Sequence, residues 1–219
     1  ITQIDYALGR IFGCLRENDL FKNTWIIFTA DHGEMLGDHH MSQKNLFFEG
    51  SAHVPLLIMP PQGRSLPQNI SVEAPTDLVD LYPTILAMAG LSSPVSVSGR
   101  NLLEPVPMDR IFFGNSLNRN FCVMEEKLKL VYSAVGDHVL LFDLNTDPME
   151  QHNLAEDPAW QERKAKLWKL LLEHTAQYTP EALDENGQFL TYEAPHFPGD
   201  VPGRWFGFHY HDYSVDTFH

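Results

Sequence analysis

The chain has 219 residues, of which 43% are hydrophobic and 20% are charged, so it holds enough apolar material for a sizeable core. A total of 15 Lys and Arg against 29 Asp and Glu gives a formal net charge of -14, which argues against nucleic acid or an anionic membrane surface as a partner. No apolar run approaches the roughly 20 residues that a membrane-spanning helix needs.

The first hundred residues alternate between helical and strand patterns. Apolar residues at helical spacing predict an amphipathic helix over residues 1–17, and the run WIIFT at 25–29 predicts a strand covered on both faces. The run VPLLIM at 54–59 predicts the next core strand. The segment TDLVDLYPTILAMAG predicts a helix that ends at Gly90, with Pro83 tolerated in its first turn. The predicted fold class is α/β, the second part of a mostly parallel sheet sandwiched by helices.

After the first hundred residues the pattern changes. RIFFGN, FCVM, LKLVYS and HVLLFDL are four short strand candidates in a row, which predict a small antiparallel sheet. An Asp-Pro pair at 157–158 is typical of a helix start, and the apolar spacing predicts a helix to about Gln177. We therefore expect an α/β domain at 1–100, a small α+β subdomain of antiparallel sheet and packed helix at 101–180, and an irregular aromatic and His-rich tail at 181–219.

The stretch TADHGEMLGDHHMSQK follows the first predicted strand and contains the main candidate site. In open α/β sheets, sites gather at the carboxyl ends of strands, which is the position of Asp31 and His32. A carboxylate and an imidazole from neighbouring residues can bind one cation if the chain turns sharply, and Gly33 permits such a turn. The Lys44 ammonium could then neutralise an anion at the same metal. The residues alone favour a polar turn, since short motifs often occur by chance.

Other histidines and the cysteines give weaker signals. His39 and His40 could be ligands or proton donors near neutral pH, or part of a solvated loop. His209 and His211 lie in the aromatic tail WFGFHYHDY, which fits either a lid lining a substrate site or a strap packed on the surface. Neither cysteine has the context of an activated nucleophile, so we expect two packed thiols.

Three segments, in this order, resemble the sulfatase family of the alkaline phosphatase superfamily: TADHGEMLGDHHMSQKNLFFEGSAHVPLLIMPP, TDLVDLYPTILAMAG and FDLNTDPMEQHNLAEDP. The resemblance implies that Asp31 and His32 are the second pair of ligands to a divalent metal ion, usually calcium. It also implies that Lys44 contacts the sulfate oxygens. His39 falls where many members carry a histidine, which makes it a candidate for substrate binding, and Phe48 replaces a frequent Tyr.

The resemblance also implies what this chain does not contain. The family's nucleophile is a formylglycine made from Cys or Ser in an upstream Cys/Ser-x-Pro/Ala-x-Arg motif, which does not occur here. We therefore expect the C-terminal portion of a sulfatase, inactive alone, with the N-terminal half of the same protein as partner and a sulfate ester as substrate. A homo-oligomer stays open as a further association. Because Ile1 lies inside a predicted helix, we expect a piece of a longer protein, and its compartment stays open between cytoplasm and periplasm or secretion.

Two other functions fit the same residues. A phosphonate monoester or phosphodiester hydrolase of the same superfamily would share Asp31, His32 and Lys44. A non-catalytic interaction domain could retain these side chains as a relic. The upstream nucleophile motif would separate both enzymes from the interaction domain.

Overall fold

The computed structural model describes residues 1–41, 43–44, 46–64 and 71–193. They form two compact units, which are described separately. Unit 1 contains the described residues of 1–31 and 54–106, and unit 2 contains those of the loop 32–53 together with residues 107–193. The boundary predicted near residue 100 lies close to the end of unit 1, whereas the loop 32–53, predicted within the first domain, belongs to unit 2.

The described residues contain four α-helices and six strands. The helices are α1 (Thr2–Glu17), α2 (Glu49–Ala52), α3 (Leu81–Met88) and α4 (Gln161–Tyr178). The strands are β1 (Ile26–Thr29), β2 (Leu56–Met59), β3 (Phe112–Ser116), β4 (Asn120–Glu125), β5 (Leu128–Ser133) and β6 (His138–Asp143). Short 3₁₀ turns lie at Leu20–Lys22, Asp38–His40, Leu78–Asp80, Pro158–Trp160 and Pro180–Ala182.

In unit 1, β1 and β2 pair antiparallel, with Ile26 opposite Met59. The α/β class is confirmed, but the predicted parallel arrangement does not hold for this pair. A parallel pair needs a crossover connection, usually a helix on the sheet, whereas the chain leaves β1 through a loop that belongs to unit 2. Within the described chain β1 is also less covered than predicted, since Phe28 is 38% exposed.

The start of α3 is held by a buried aspartate and a buried threonine. Asp80 is fully buried, and its carboxylate accepts hydrogen bonds from the backbone N–H groups of Asp77 and Arg100, both at 2.8 Å. The hydroxyl of Thr84 donates to the Asp80 carbonyl at 2.6 Å and accepts from the Leu102 N–H at 2.9 Å. The Asp and Thr of the segment DLYPT therefore attach the chain around residue 100 to this helix.

Unit 2 is built on the predicted antiparallel sheet, in the order β3-β4-β5-β6. Side chains alternate between the two faces of a strand, and β4 and β5 are covered on both. Phe121 and Leu130 pack in a core with Leu167 and Leu171 of α4. On the other face, Cys122 and Val131 pack with four side chains of the loop 32–53, namely Met35, Met41, Leu46 and Phe48. This burial explains why the loop belongs to unit 2.

Two further expectations concern the cysteines and the membrane. Cys122 is buried, as predicted, whereas Cys14 is exposed in this chain because it lies on α1, which has no buried residue. Among the described residues, every helix is too short or too polar to cross a membrane.

Candidate functional site

Asp31 and His32 follow β1 at its carboxyl end, as predicted. Asp31 is exposed and His32 is half-buried. The Nδ1 atom of His32 lies 2.7 Å from the carbonyl oxygen of Gly33. Because a carbonyl only accepts, this contact requires a proton on Nδ1, and Nε2 is then the ring nitrogen that could bind a cation. The pair therefore offers a carboxylate oxygen and an imidazole nitrogen, a donor set that divalent cations accept.

Within the described residues, Asp31 and His32 could supply at most part of a metal site. No group of three or more His, Cys, Asp or Glu side chains that could hold a metal ion occurs in the described ranges. The donor set of Asp31 and His32 fits one cation only if further ligands come from elsewhere.

Gly33 is required by close backbone packing. A Cβ atom at this position would lie 2.1 Å from the carbonyl oxygen of Gly50, which no side chain can accommodate without backbone movement. The N–H of Gly33 also donates to the carbonyl of Ser51 at 2.7 Å. Gly33 does not have the positive φ of a sharp glycine turn, and such backbone occurs later, at Gly37, with φ of 104°. The glycine predicted to permit a turn instead permits two parts of the loop to touch.

His39 and His40 lie in the 3₁₀ turn Asp38–His40, and both have positive φ, 52° and 59°. The ring of His39 stacks on Phe48 with centroids 4.2 Å apart and an angle of 19° between planes. Phe48 is 3% exposed, so this contact attaches His39 to the core of unit 2. His40 is exposed. The contact gives His39 a packing role, and its role toward substrate stays a prediction.

Lys44 is exposed, and in the described part of the chain its ammonium belongs to none of the ion pairs. Its backbone, by contrast, is held. The hydroxyl of Ser51 donates to the Lys44 carbonyl at 2.6 Å, and Ser51 is 2% exposed. A fixed backbone with an exposed ammonium suits a side chain that contacts an anion.

A buried group of charges beneath this loop was not predicted. Lys129 on β5 is 3% exposed and lies between the carboxylates of Glu49 and Glu150. Burial alone would lower the pKa of Lys129, but Glu150, Cys122 and Glu49 raise it above its usual value, so its ammonium stays charged. The signal available in the sequence was a single lysine between apolar residues of LKLVYS. It indicates a cation on a strand but cannot name partners 80 residues earlier.

His209 and His211, the other histidines predicted as weak candidates for substrate binding, lie outside the described residues. Their proposed lid or strap is therefore a prediction from sequence alone.

The chain matches the family model described as Sulfatase over residues 1–91. It is 34% identical over 174 residues to arylsulfatase K of Xenopus laevis, covering 70% of this chain and 32% of that protein. It is 35% identical over 201 residues to the multifunctional alkaline phosphatase superfamily protein PehA of Trinickia caryophylli, covering 78% and 39%. The chain thus spans between about a third and two fifths of the length of these relatives.

Solved structures give the same picture. The crystal structure of the phosphonate monoester hydrolase of Agrobacterium radiobacter superposes with a TM-score of 0.65 at 31% identity. The match covers 85% of this chain and 42% of that one.

Proposed function

Because the chain belongs to the sulfatase family of the alkaline phosphatase superfamily, we propose that it is part of a sulfuric ester hydrolase. The observation that carries the proposal is the combination of Asp31 and His32 at the end of β1 with an exposed Lys44 on a fixed backbone. Further ligands, the nucleophile and the leaving-group acid would come from the rest of the protein.

Asp31 and His32 would hold a divalent cation, with calcium the ion expected from the resemblance. Asp31 brings a negative charge, and His32 brings Nε2 in an orientation fixed by the contact of Nδ1 with the Gly33 carbonyl. When bound, such an ion withdraws negative charge from the sulfate oxygens and stabilises the charged transition state.

Lys44 would bind a sulfate oxygen directly. Its positive charge favours the negative charge that grows on these oxygens and on the leaving group as the ester bond breaks. Because Ser51 holds the Lys44 backbone, little reorganisation is needed when the substrate arrives. The expected nucleophile is a formylglycine outside this chain, so the chain alone should be inactive.

The expected partner is the N-terminal half of the same protein. Unit 1 supports this, because α1 has no buried residue and its Ile4 and Ile11 are 60% and 55% exposed. On β2, Leu57 is 59% exposed. A two-stranded sheet is at best marginally stable alone, and apolar surface of this kind normally packs against further structure.

The activity is tested with the full-length protein, co-expressed with a formylglycine-generating enzyme, on an aryl sulfate and an aryl phosphonate monoester. A faster sulfate reaction supports the proposal. Lys44→Ala should lower kcat/KM for the sulfate by about two orders of magnitude or more, the range for losing a contact to transition-state charge. Lys169→Ala, an exposed lysine on α4, should have no effect. An active Lys44→Ala variant would remove Lys44 from the site.

The metal assignment has its own test. Calorimetric titration of metal-free full-length protein with Ca²⁺ should show binding that Asp31→Asn and His32→Ala weaken about 10-fold or more. Ca²⁺ should also raise the melting temperature of wild type more than that of either variant, because a ligand that binds only the folded state stabilises it. Equal affinity in all three proteins would refute the assignment whatever the activity.

A phosphonate monoester or phosphodiester hydrolase is the second candidate. It is favoured by the likeness to the Agrobacterium radiobacter phosphonate monoester hydrolase and to PehA. A dominant phosphonate rate in the paired assay would select it. If the upstream sequence lacks the Cys/Ser-x-Pro/Ala-x-Arg motif and neither ester is cleaved, the non-catalytic interaction domain becomes the better proposal.

A further inference from the structure

The loop that carries Lys44 is fixed to β5 by a buried cation between two carboxylates. The ammonium of Lys129 donates to the Phe47 carbonyl at 2.8 Å, to Glu150 Oε1 at 2.9 Å and to the carboxylate of Glu49. Glu150 Oε2 in turn accepts from the Glu49 N–H at 2.7 Å. Three of these bonds reach the loop, and their residue pairs are separated in the sequence by 80, 82 and 101 positions.

We propose that Lys129, together with Glu150, is a positioning residue that holds Lys44 in place for the reaction. This inference rests on the proposed function, since it assigns a task within the same site. Two of the hydrogen bonds from Lys129 reach the loop, at Phe47 and Glu49, and both residues lie between Lys44 and Ser51. Ser51 then closes the segment by bonding back to the Lys44 carbonyl.

The segment from Lys44 to Ser51 needs directional bonds in addition to apolar packing to hold one position. Leu46 and Phe48 are 4% and 3% exposed and pack on the sheet, but apolar contacts tolerate sliding. The bond from Lys129 to the Phe47 carbonyl and the bond from the Glu49 N–H to Glu150 fix the backbone on either side of Phe48 in angle as well as distance.

Stability alone does not require charges at this place. Replacing a buried group of ions by well-packed apolar residues often leaves the stability of a protein unchanged. Removing only one of the ions destabilises it, because a buried charge is left without a partner. Lys129→Met strands Glu150, which is 3% exposed. Lys129→Met with Glu150→Gln removes both charges, and Glu49, whose side chain is 28% exposed, still contacts His53 at 2.8 Å. The double variant should therefore recover thermal stability.

A positioning role predicts that activity does not recover with stability. The double variant still lacks the donor to the Phe47 carbonyl, so the segment that carries Lys44 is held less tightly, although the Ser51 bond remains. A displacement of about 1 Å near a reacting group can cost about 100-fold, and it acts mainly on the transition state. We expect kcat to fall about 10- to 100-fold while KM changes by less than about 3-fold.

The experiment measures aryl sulfate hydrolysis, melting temperature and backbone hydrogen exchange in full-length protein carrying formylglycine. The variants are Lys129→Met, Lys129→Met with Glu150→Gln, Lys44→Ala, and Lys44→Ala with Lys129→Met. The control is Lys166→Met, which removes an ion pair at 2.5 Å between α4 and Glu125 of β4, on the face of the sheet opposite the loop.

The supporting result is a double variant that melts like wild type, has lowered kcat, and exchanges faster at the amides of residues 46–52. In the Lys44→Ala background, adding Lys129→Met should lower kcat only slightly, because the effects of residues that act through one group are not additive. The inference is overturned if the double variant Lys129→Met with Glu150→Gln recovers full activity. It is also overturned if the losses of kcat from Lys44→Ala and Lys129→Met are additive. If wild type cleaves no sulfate ester, the proposed function fails, and unchanged exchange at these amides would then overturn the positioning role separately.

Discussion

The hydroxyl of Ser51 donates a hydrogen bond to the carbonyl oxygen of Lys44 at 2.6 Å, from a side chain that is 2% exposed. Ser51→Ala removes this donor, so we expect a loss of about 1–2 kcal/mol in the free energy of unfolding. Activity on a sulfate ester should fall about 10-fold, less than in Lys44→Ala, because the ammonium remains. Urea unfolding and kcat/KM test both effects. Ser93→Ala, at an exposed serine, is the control, and equal values for the two variants would contradict the role of Ser51.

Helices and strands with a regular apolar spacing could be predicted from the sequence. The apolar spacing of residues 1–17 gave α1, the Asp-Pro pair gave the 3₁₀ turn that leads into α4, and four short apolar runs gave β3 to β6. These signals depend on neighbours within one turn or one strand, so they can be recognised without knowing the fold.

Non-local packing explains what the sequence did not predict. The loop 32–53 joins unit 2 because Leu46 and Phe48 are buried against β4 and β5, which no local pattern encodes. Lys129 pairs with Glu49 and Glu150 across 80 and 21 residues, so only the folded chain brings them together. Asp31, His32 and Lys44, by contrast, were nominated by their place after a predicted strand together with the family resemblance, and their chemistry is still a proposal.

Thr84 gives a test of the segment DLYPT that needs no assay of activity. Its hydroxyl accepts from the Leu102 N–H at 2.9 Å, and the residue is fully buried. Thr84→Val keeps the shape but leaves that N–H unsatisfied, so we expect a loss of about 1–3 kcal/mol in unfolding free energy. Thermal and urea unfolding measure it. Thr76→Val, at an exposed threonine in the same unit, should cost far less, and a similar cost would argue that the hydrogen bond is unimportant.

Cys122 should resist alkylation in the folded protein. Burial, reinforced by the nearby carboxylates of Glu150 and Glu49 and only partly opposed by Lys129, raises the pKa of the Cys122 thiol to about 12. At pH 8 only about one thiol in 10,000 would then be thiolate, against about a quarter for an ordinary cysteine with a pKa near 8.5. We expect iodoacetamide to label the Cys122 peptide at least about 1,000-fold more slowly in native protein than in urea. Mass spectrometry of that peptide measures both rates, and fast native labelling would contradict the burial.

His174 should make the protein less stable as the pH falls below 6.5. Its ring stacks on Phe113 with centroids 3.9 Å apart and an angle of 1° between planes. Burial lowers the pKa of His174 below its usual value of 6.5, so the folded state binds this proton less readily than the unfolded state. By linkage, the free energy of unfolding then decreases as the pH drops from 6.5 through the folded-state pKa, and the loss is complete below that value.

The His174 contribution is isolated by comparing wild type with His174→Phe, which keeps an aromatic ring against Phe113 but cannot be protonated. The drop in melting temperature between pH 7.5 and pH 5 should be smaller in His174→Phe than in wild type. An equal drop in wild type and His174→Phe would mean that the folded and unfolded states bind this proton equally well.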